Sequence, residues 1–291
     1  MEELVVKKDF TNIYTKDSPY EYLKEMKRLS YRIPDYTKPL YIQIAQQLVD
    51  KLKRPIHIVD LGSSYGINSS LMRHDLSMSE LDQFFLRKDT PPTRQDSFEF
   101  FKKQDNQNLN FNFYQIDISE PALKFSKDVG LCKNSICVNL ESDYQKLPDA
   151  FFPIDMVIAT GCIGYIGYKA FSNLFELIKK QKPNLPQSNT QDIFPTFTFS
   201  VLRIFDIQKI SKTFDYYGYS LKKTDLQPIP QRQFADSEEK NQTLSLLHSK
   251  GIDTKWYEDD GNFYADFYVG VPKTQKKQLV QINAQLRKHH N

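Results

Sequence analysis

The chain has 291 residues, of which 40% are hydrophobic and 26% are charged, a composition typical of globular proteins with one large domain or two small ones. Its net charge of +3 is too small to predict binding to nucleic acid or to an anionic membrane, and no apolar stretch approaches the roughly 18 to 20 residues that span a bilayer. Residues 1–8 are too short and too acidic for a signal peptide, and the three cysteines lack the CxxC spacing of a zinc site, so we expect a cytoplasmic protein with reduced thiols and no bound metal.

Two helices are predicted ahead of the first strand. Residues 18–21 read SPYE, a capping-box pattern that opens a helix reaching about residue 29. This helix is expected to end before Pro34, because the residue that precedes a proline disfavours helix. A second helix is predicted from about Thr37, with apolar residues at helical spacing. We interpret residues 1–54 as an N-terminal helical cover. The first helix is expected to close over a ligand pocket, whereas completion of the core is the alternative role and the favoured one for the second helix.

The rest of the chain is organised around residues 55–66, which read PIHIVDLGSSYG. The near-continuous apolar run predicts a parallel strand that is buried on both faces. A turn of small residues follows it, and such a turn lets the backbone approach a ligand before the next helix begins. This pattern predicts a binding site at the end of the first strand.

Strands and helices alternate from this point onward, which predicts a doubly wound, mostly parallel seven-stranded sheet with one antiparallel member near an edge. Polar insertions are expected near residues 75–110 and 235–260, and a basic tail at 273–291 is interpreted as a solvated terminal helix. The predicted strands are 55–61, 111–118, 135–140, 155–160, 196–204, 220–234 and 263–271. The predicted helices that accompany them lie around 67–72, 78–86, 97–103, 120–129, 171–178, 207–214 and 237–248.

Two classes of ligand use a strand, turn and helix of this kind. A dinucleotide needs GxGxxG, and the corresponding residues are Gly62, Ser64 and Ile67, which disfavours an NAD-dependent oxidoreductase. S-adenosylmethionine (SAM) carries no phosphate and tolerates a looser pattern, an acidic residue followed by alternate glycines. Asp60, Gly62 and Gly66 match that pattern, with Ser64 in place of the middle glycine. The stretch therefore resembles motif I of the class I SAM-dependent methyltransferases.

The resemblance covers most of residues 18–272 and implies the Rossmann-like methyltransferase fold. Gly62 and Asp117 are 55 residues apart where the family pattern has about 20, and the insertion at 75–110 accounts for the difference. Further segments resemble a bacterial subgroup of unknown substrate: SYRIPDY (30–36), SYGIN (64–68), HDL (74–76), QRQFAD (231–236) and EDDGNFYADFY (258–268).

The resemblance also implies which residues hold SAM. An acidic residue after the second strand binds the ribose hydroxyls in this family, and Asp117 has that position. Support of the helix that begins after Ser119 is the alternative role for Asp117. The residues implied in cofactor binding are Asp60, Gly62, Ser64, Tyr65 and Gly66 in the turn, Asp117 and Ile118 after the second strand, Leu140 and Glu141 after the third, and Thr160 and Gly161 after the fourth.

Methyl transfer from a sulfonium depends on alignment of the nucleophile more than on a strong base, so catalytic motifs are sparse. Tyr165 follows the fourth strand, where it could orient or deprotonate the acceptor, and packing is its alternative role. His74 is a second candidate base, but it lies about 12 Å along a helix from the turn, which favours a packing role. Tyr31, Arg32 and Arg232 are candidate acceptor-binding residues, and the alternative for Arg232 is a solvated position on an edge strand.

We predict from these features a SAM-dependent methyltransferase that methylates oxygen or nitrogen of a small molecule, without nucleic-acid or membrane partners. A protein acceptor is the first alternative, and a non-catalytic SAM-binding module is the second. An open acceptor pocket with Tyr165 would favour the enzyme. An aromatic side chain in the place of the sulfonium would favour the module.

Overall fold

The part of the chain that the structure describes folds into a mixed sheet of eight strands with helices on both faces. The computed structural model describes residues 11–104, 109–142, 147–181, 194–277, 282 and 286. The strands are β1 Ile56–Leu61, β2 Phe111–Asp117, β3 Asn134–Cys137, β4 Met156–Ala159, β5 Thr196–Leu202, β6 Tyr219–Lys223, β7 Ile229–Gln233 and β8 Asn262–Pro272. The helices are α1 Tyr20–Arg28, α2 Ile33–Leu52, α3 Ile67–His74, α4 Met78–Phe85, α5 Arg94–Gln104, α6 Glu120–Asp128, α7 Tyr168–Gln181, α8 Gln208–Tyr216 and α9 Ser237–Ser249.

The strand order is β3-β2-β1-β4-β5-β8-β6, with β7 also paired to β8. Strands β1 to β5 are mutually parallel, and β8 is antiparallel to its neighbours. This confirms the predicted doubly wound, mostly parallel sheet, but the count of seven strands is wrong. The single strand predicted at 220–234 is two strands, β6 and β7, which pair with successive halves of β8. The order reverses between β2-β1 and β4-β5, and ligands bind at such a switch point.

Alternation along the central strands separates the two faces of the sheet. Ile56 and Ile58 on one face belong to a buried cluster with Ile44 of α2. Val59 on the other face belongs to a second cluster with Phe171 of α7. A third cluster lies beyond the sheet, between α1 and α3 to α6, and it contains the helices of the predicted insertion at 75–110. These three apolar layers hold the ends of β1, β2 and β4 in fixed positions.

The N-terminal helices differ in part from their predictions: α1 ends near residue 29 as predicted, but its start and the start of α2 differ. Helix α1 begins after Pro19, and the Ser18 hydroxyl accepts the N–H of Tyr20 at 3.3 Å. The described residues show no capping box between Ser18 and Glu21, so that prediction is wrong. Pro34 lies in the first turn of α2 and does not end a helix, because proline lacks only an N–H that is unpaired there anyway. Tyr41 of α2 is fully buried and contacts Phe267 of β8 through its ring. Helix α2 is therefore part of the sheet's core, which is the role expected of the second predicted helix.

The C-terminal tail also departs from its interpretation as a solvated helix. Ile282 and Leu286 are buried in the same cluster as α2. The remaining residues of the tail beyond residue 277 lie outside the described part of the chain. Among the described helices, none is both long and apolar enough to cross a membrane.

The connector between α1 and α2, residues 29–32, lies along the edge of β7 that faces away from β8. The N–H of Arg32 donates to the carbonyl of Gln231 at 3.0 Å, and the N–H of Gln233 donates to the carbonyl of Leu29 at 2.7 Å. The connector carries Tyr31 between these two hydrogen bonds. The position of Tyr31 is therefore fixed by the edge of the sheet.

Candidate functional site

A cavity of about 550 Å³ opens where the carboxyl ends of β1, β2 and β4 meet. Its volume lies within the roughly 300–1,000 Å³ that is usual for small-molecule sites. One side of its wall comes from the turn after β1, the residues after β2 and the residues after β3. The other side comes from the residues after β4, from α1 and from the segment before it. The cavity is thus at the switch point of the sheet, as predicted.

The turn after β1 brings backbone close to this cavity. Gly62 has a φ of +70°, and a Cβ atom there would lie 2.9 Å from Cβ and Sγ of Cys162. Only glycine fits without a shift of the loop after β4. The hydroxyl oxygens of Ser63 and Ser64 are buried and have no hydrogen-bond partner among the described residues. Buried polar atoms of this kind are normally satisfied, so these two hydroxyls mark a place for polar ligand atoms.

Asp117 faces the turn from the end of β2. One carboxylate oxygen accepts the N–H of Ser64 at 2.8 Å, and the other accepts the N–H of Ser119 at 2.8 Å. Burial raises the pKa of the Asp117 carboxyl, and the bonds from Ser64 and Ser119 oppose that rise. Each oxygen retains acceptor capacity for a ligand hydroxyl. Asp117 therefore supports the start of α6 and also lines the cavity.

Asp60 lies behind the wall of the cavity. Its side chain is fully buried, one oxygen accepts a hydrogen bond from Asn68 at 3.0 Å, and the other oxygen has no partner among the described residues. Burial raises the pKa of Asp60 to about 8, and the bond from Asn68 opposes that rise. Asn68 lines the cavity, so the structure gives Asp60 the position of a residue that orients Asn68.

Tyr65 and Gly66, which were predicted to bind the cofactor, also do not line the cavity. A Cβ atom on Gly66 would overlap Oγ of Ser126, so the glycine permits close packing against α6. The Tyr65 hydroxyl lies 2.9 Å from the carbonyl oxygens of both Ile13 and Lys16. It holds the segment 11–17, which we call the N-terminal strap.

The N-terminal strap adds residues that the sequence analysis missed. Tyr14 and Thr15 line the cavity. The hydroxyl of Ser119 donates to the carbonyl of Tyr14. The strap is thus held at Ile13 and Lys16 by Tyr65 of the turn, and at Tyr14 by Ser119, two residues after Asp117.

Three tyrosines, Tyr14, Tyr22 and Tyr31, line one side of the cavity and are here called the tyrosine wall. The rings of Tyr14 and Tyr22 have centroids 5.5 Å apart, and the Tyr31 hydroxyl packs directly against Gly161. Burial raises the pKa values of all three phenols well above their ordinary value, so they are neutral at physiological pH. Tyr31 was a predicted acceptor-binding residue, whereas Tyr14 and Tyr22 were not.

The residues after β3 and β4 complete the wall. Glu141 accepts the N–H of Gly167 at 2.6 Å and that of Ala170 at 3.1 Å, which supports the start of α7. The Thr160 hydroxyl lies 2.7 Å from that of Tyr41. The predicted site residues that line the cavity are Tyr31, Gly62, Ser64, Asp117, Ile118, Leu140, Glu141, Thr160, Gly161 and Tyr165.

Three other predicted residues lie elsewhere. His74 is buried against the ring of Phe101, with centroids 5.4 Å apart, in agreement with its packing alternative. The Arg32 side chain is exposed and does not line the cavity. Arg232 is 2% exposed and binds the Glu239 carboxylate at 2.6 and 2.8 Å. The prediction that Arg232 binds an acidic group of the acceptor is therefore wrong, and so is the alternative of a solvated arginine.

The chain matches no family model and no curated protein. It does resemble solved structures, among them three distant matches. Magnesium protoporphyrin IX methyltransferase from Synechocystis PCC 6803, crystallised with SAM, has 11% identity and a TM-score of 0.40 over 92% of this chain and 88% of that one. A TehB-like SAM-dependent methyltransferase from Corynebacterium glutamicum has 11% identity and a TM-score of 0.37 over 77% and 86%. Ribosomal protein L11 methylase from Lactobacillus delbrueckii subsp. bulgaricus has 12% identity and a TM-score of 0.33 over 79% and 78%. Similarities this distant do not assign an activity.

Proposed function

We propose that this chain is a class I SAM-dependent methyltransferase. The observation that carries the proposal is the glycine turn after β1, which faces Asp117 across a cavity at the switch point of the sheet. The turn places its backbone and two buried hydroxyl groups, which have no partners among the described residues, next to the cavity. Asp117 adds a carboxylate. A cofactor with a ribose diol and a polar amino-acid end fits this donor and acceptor set.

Each part of the cavity then has a defined role. Ser63 and Ser64 would hold the amino-acid end of SAM, and Asp117 would accept hydrogen bonds from the ribose hydroxyls. Ile118 and Leu140 would lie beside the adenine, and the backbone at Gly161 would lie under the ligand. SAM supplies an electrophilic methyl group on a sulfonium when it is bound. Tyr165 and the tyrosine wall would orient the acceptor, and the N-terminal strap would exclude water.

A small molecule is the acceptor that the cavity supports best. Tyr22 is almost fully buried, and the N-terminal strap lies across the same side of the site. This cover on one side of the cavity favours a small molecule over a folded protein surface. The cavity leaves about 550 Å³ of open space between the described side chains that line it, which favours the enzyme over the non-catalytic module.

Calorimetry on the purified protein tests the cofactor assignment. We expect binding of SAM and S-adenosylhomocysteine (SAH) and no binding of NAD. Binding of NAD without SAM would overturn the assignment.

Methyl-labelled SAM, added with the protein to a cell extract that is then separated by size, tests the acceptor class. Label in the small-molecule fraction is the expected result, and label in a protein band would establish the alternative. SAM that binds but gives no label in any fraction would favour the non-catalytic module.

A further inference from the structure

We propose that the methyl acceptor is a small amine or nitrogen heterocycle, methylated at a neutral nitrogen that becomes a cation in the site. The inference rests on the proposed function and narrows its acceptor class. Two independent features carry it, the sign of the charge around the cavity and the chemistry of the tyrosine wall.

The cavity is electrostatically suited to a cation. Among the described residues that line it, the charged side chains are Asp117 and Glu141, and no lysine, arginine or histidine is present. Arg232 lies close enough to lower the pKa values of Tyr14 and Tyr31, but its charge is balanced by the Glu239 carboxylate. A carboxylate, phosphate or phenolate acceptor would enter against two like charges and without a paired cation. A neutral or cationic nitrogen compound meets no such opposition.

The tyrosine wall provides groups that attract a cation. The face of an aromatic ring attracts ammonium groups, and the attraction is larger where water is excluded. The phenolic oxygens can also accept hydrogen bonds from N–H groups. Tyr22 is 4% exposed, and the Tyr31 hydroxyl packs on Gly161, whose backbone is proposed to lie under the cofactor. The tyrosine wall therefore lines the same cavity as the proposed cofactor site.

The reaction moves positive charge toward this wall. The nitrogen lone pair forms the new bond to the methyl carbon, the carbon–sulfur bond breaks, and its electron pair stays on sulfur. The positive charge thus passes from sulfur to nitrogen. A primary or secondary amine then releases a proton to water, whereas a ring nitrogen without a hydrogen keeps the charge. Neither case needs a side-chain base for the transfer, and fixed rings and hydroxyls that favour charge at nitrogen lower the barrier.

The test compares a cation with its neutral isostere. The full-length protein is saturated with SAH and titrated by calorimetry with choline, with 3,3-dimethyl-1-butanol and with benzoate. We expect choline to bind at least about tenfold more tightly than the butanol, and benzoate to bind more weakly than either. Tyr22→Leu should remove most of the preference for choline, whereas Tyr22→Phe should retain most of it because the ring remains.

Three results would overturn the inference and leave the cofactor assignment intact. They are equal binding of choline and the butanol, tighter binding of benzoate, and no binding of choline to protein that holds SAH. Failure of SAH to bind would instead overturn the proposed function.

A methyl-transfer assay tests the acceptor class a second time and needs no variant protein. Methyl-labelled SAM is supplied with benzylamine, histamine and nicotinamide in one pool, and with catechol and benzoate in another. Label in the nitrogen pool is expected, and label confined to the oxygen pool would overturn the inference.

Discussion

Replacement of Asp117 separates its two roles. Asp117→Ala removes the acceptor for the N–H groups of Ser64 and Ser119 and the proposed acceptor for the ribose hydroxyls. A hydrogen bond to a charged group contributes about 1.5–3 kcal/mol, and about 1.4 kcal/mol is tenfold in affinity. Loss of a single ribose bond should therefore weaken SAM binding at least about tenfold. Each of the two unpaired N–H groups should also lower the free energy of unfolding by about 1–3 kcal/mol, more than the roughly 0.3–1 kcal/mol expected from helix support alone.

Asp117→Asn should give intermediate values, because it keeps one acceptor oxygen. The assay is SAM affinity by calorimetry and melting temperature on the same samples. Asp96→Ala is the matched control, since the Asp96 carboxylate accepts hydrogen bonds from Thr93 at the start of α5, away from the cavity. It should lower the melting temperature without any change in SAM affinity. An Asp117→Ala protein with lowered melting temperature and unchanged SAM affinity would show that Asp117 is structural only.

The remaining predictions concern the turn and the strap. Asp60 keeps its proton up to about pH 8 when folded but loses it above its ordinary pKa of 3.8 when unfolded. The free energy of unfolding of the ligand-free protein should therefore fall between about pH 4 and pH 8, by up to about 1.4 kcal/mol per pH unit. Urea titrations at several pH values should show a shallower fall for Asp60→Asn than for the unchanged protein. Equal pH dependence in the two proteins would contradict this. Gly62→Ala should abolish SAM binding and destabilise the fold more than Gly130→Ala. Both glycines have positive φ, but of the two only Gly62 has neighbouring atoms within 4 Å of the added Cβ. Equal melting temperatures of the two variants would contradict the argument from close packing. Tyr65→Phe should release the N-terminal strap and speed SAH dissociation several-fold in stopped-flow measurements, and an unchanged dissociation rate would show that the strap does not retain the ligand.

Much of the fold was predictable because its signals are local. Apolar runs identified the central strands, and the helices predicted at 78–86 and 120–129 begin at Met78 and Glu120, each with a side-chain cap from the preceding serine. The errors arose where one local pattern permits two outcomes. A proline can end a helix or occupy its first turn, as Pro34 does. A proline-containing run can be one irregular strand or two, as β6 and β7 are.

The site was predictable only in part, for a related reason. The turn and Asp117 follow strands, and strand ends converge in any doubly wound sheet. Tyr22 carries no such signal, because its spacing on α1 is that of an ordinary buried residue. Arg232 pairs with Glu239, which is seven residues further along the chain and beyond a loop. Their contact depends on how β7 and α9 pack together, which the sequence does not show. Tertiary packing decides both positions.

The connector on the edge of β7 has a consequence for assembly. An open strand edge is a template on which another chain can add a strand. Here the N–H of Gln233 and the carbonyl of Gln231 are already paired with residues 29–32. A foreign strand could pair with them only by displacing the connector, and Tyr31 would leave the cavity with it. Association through this edge and an intact cavity are therefore mutually exclusive, so aggregates that grow from β7 would consist of chains that lack Tyr31 in the cavity.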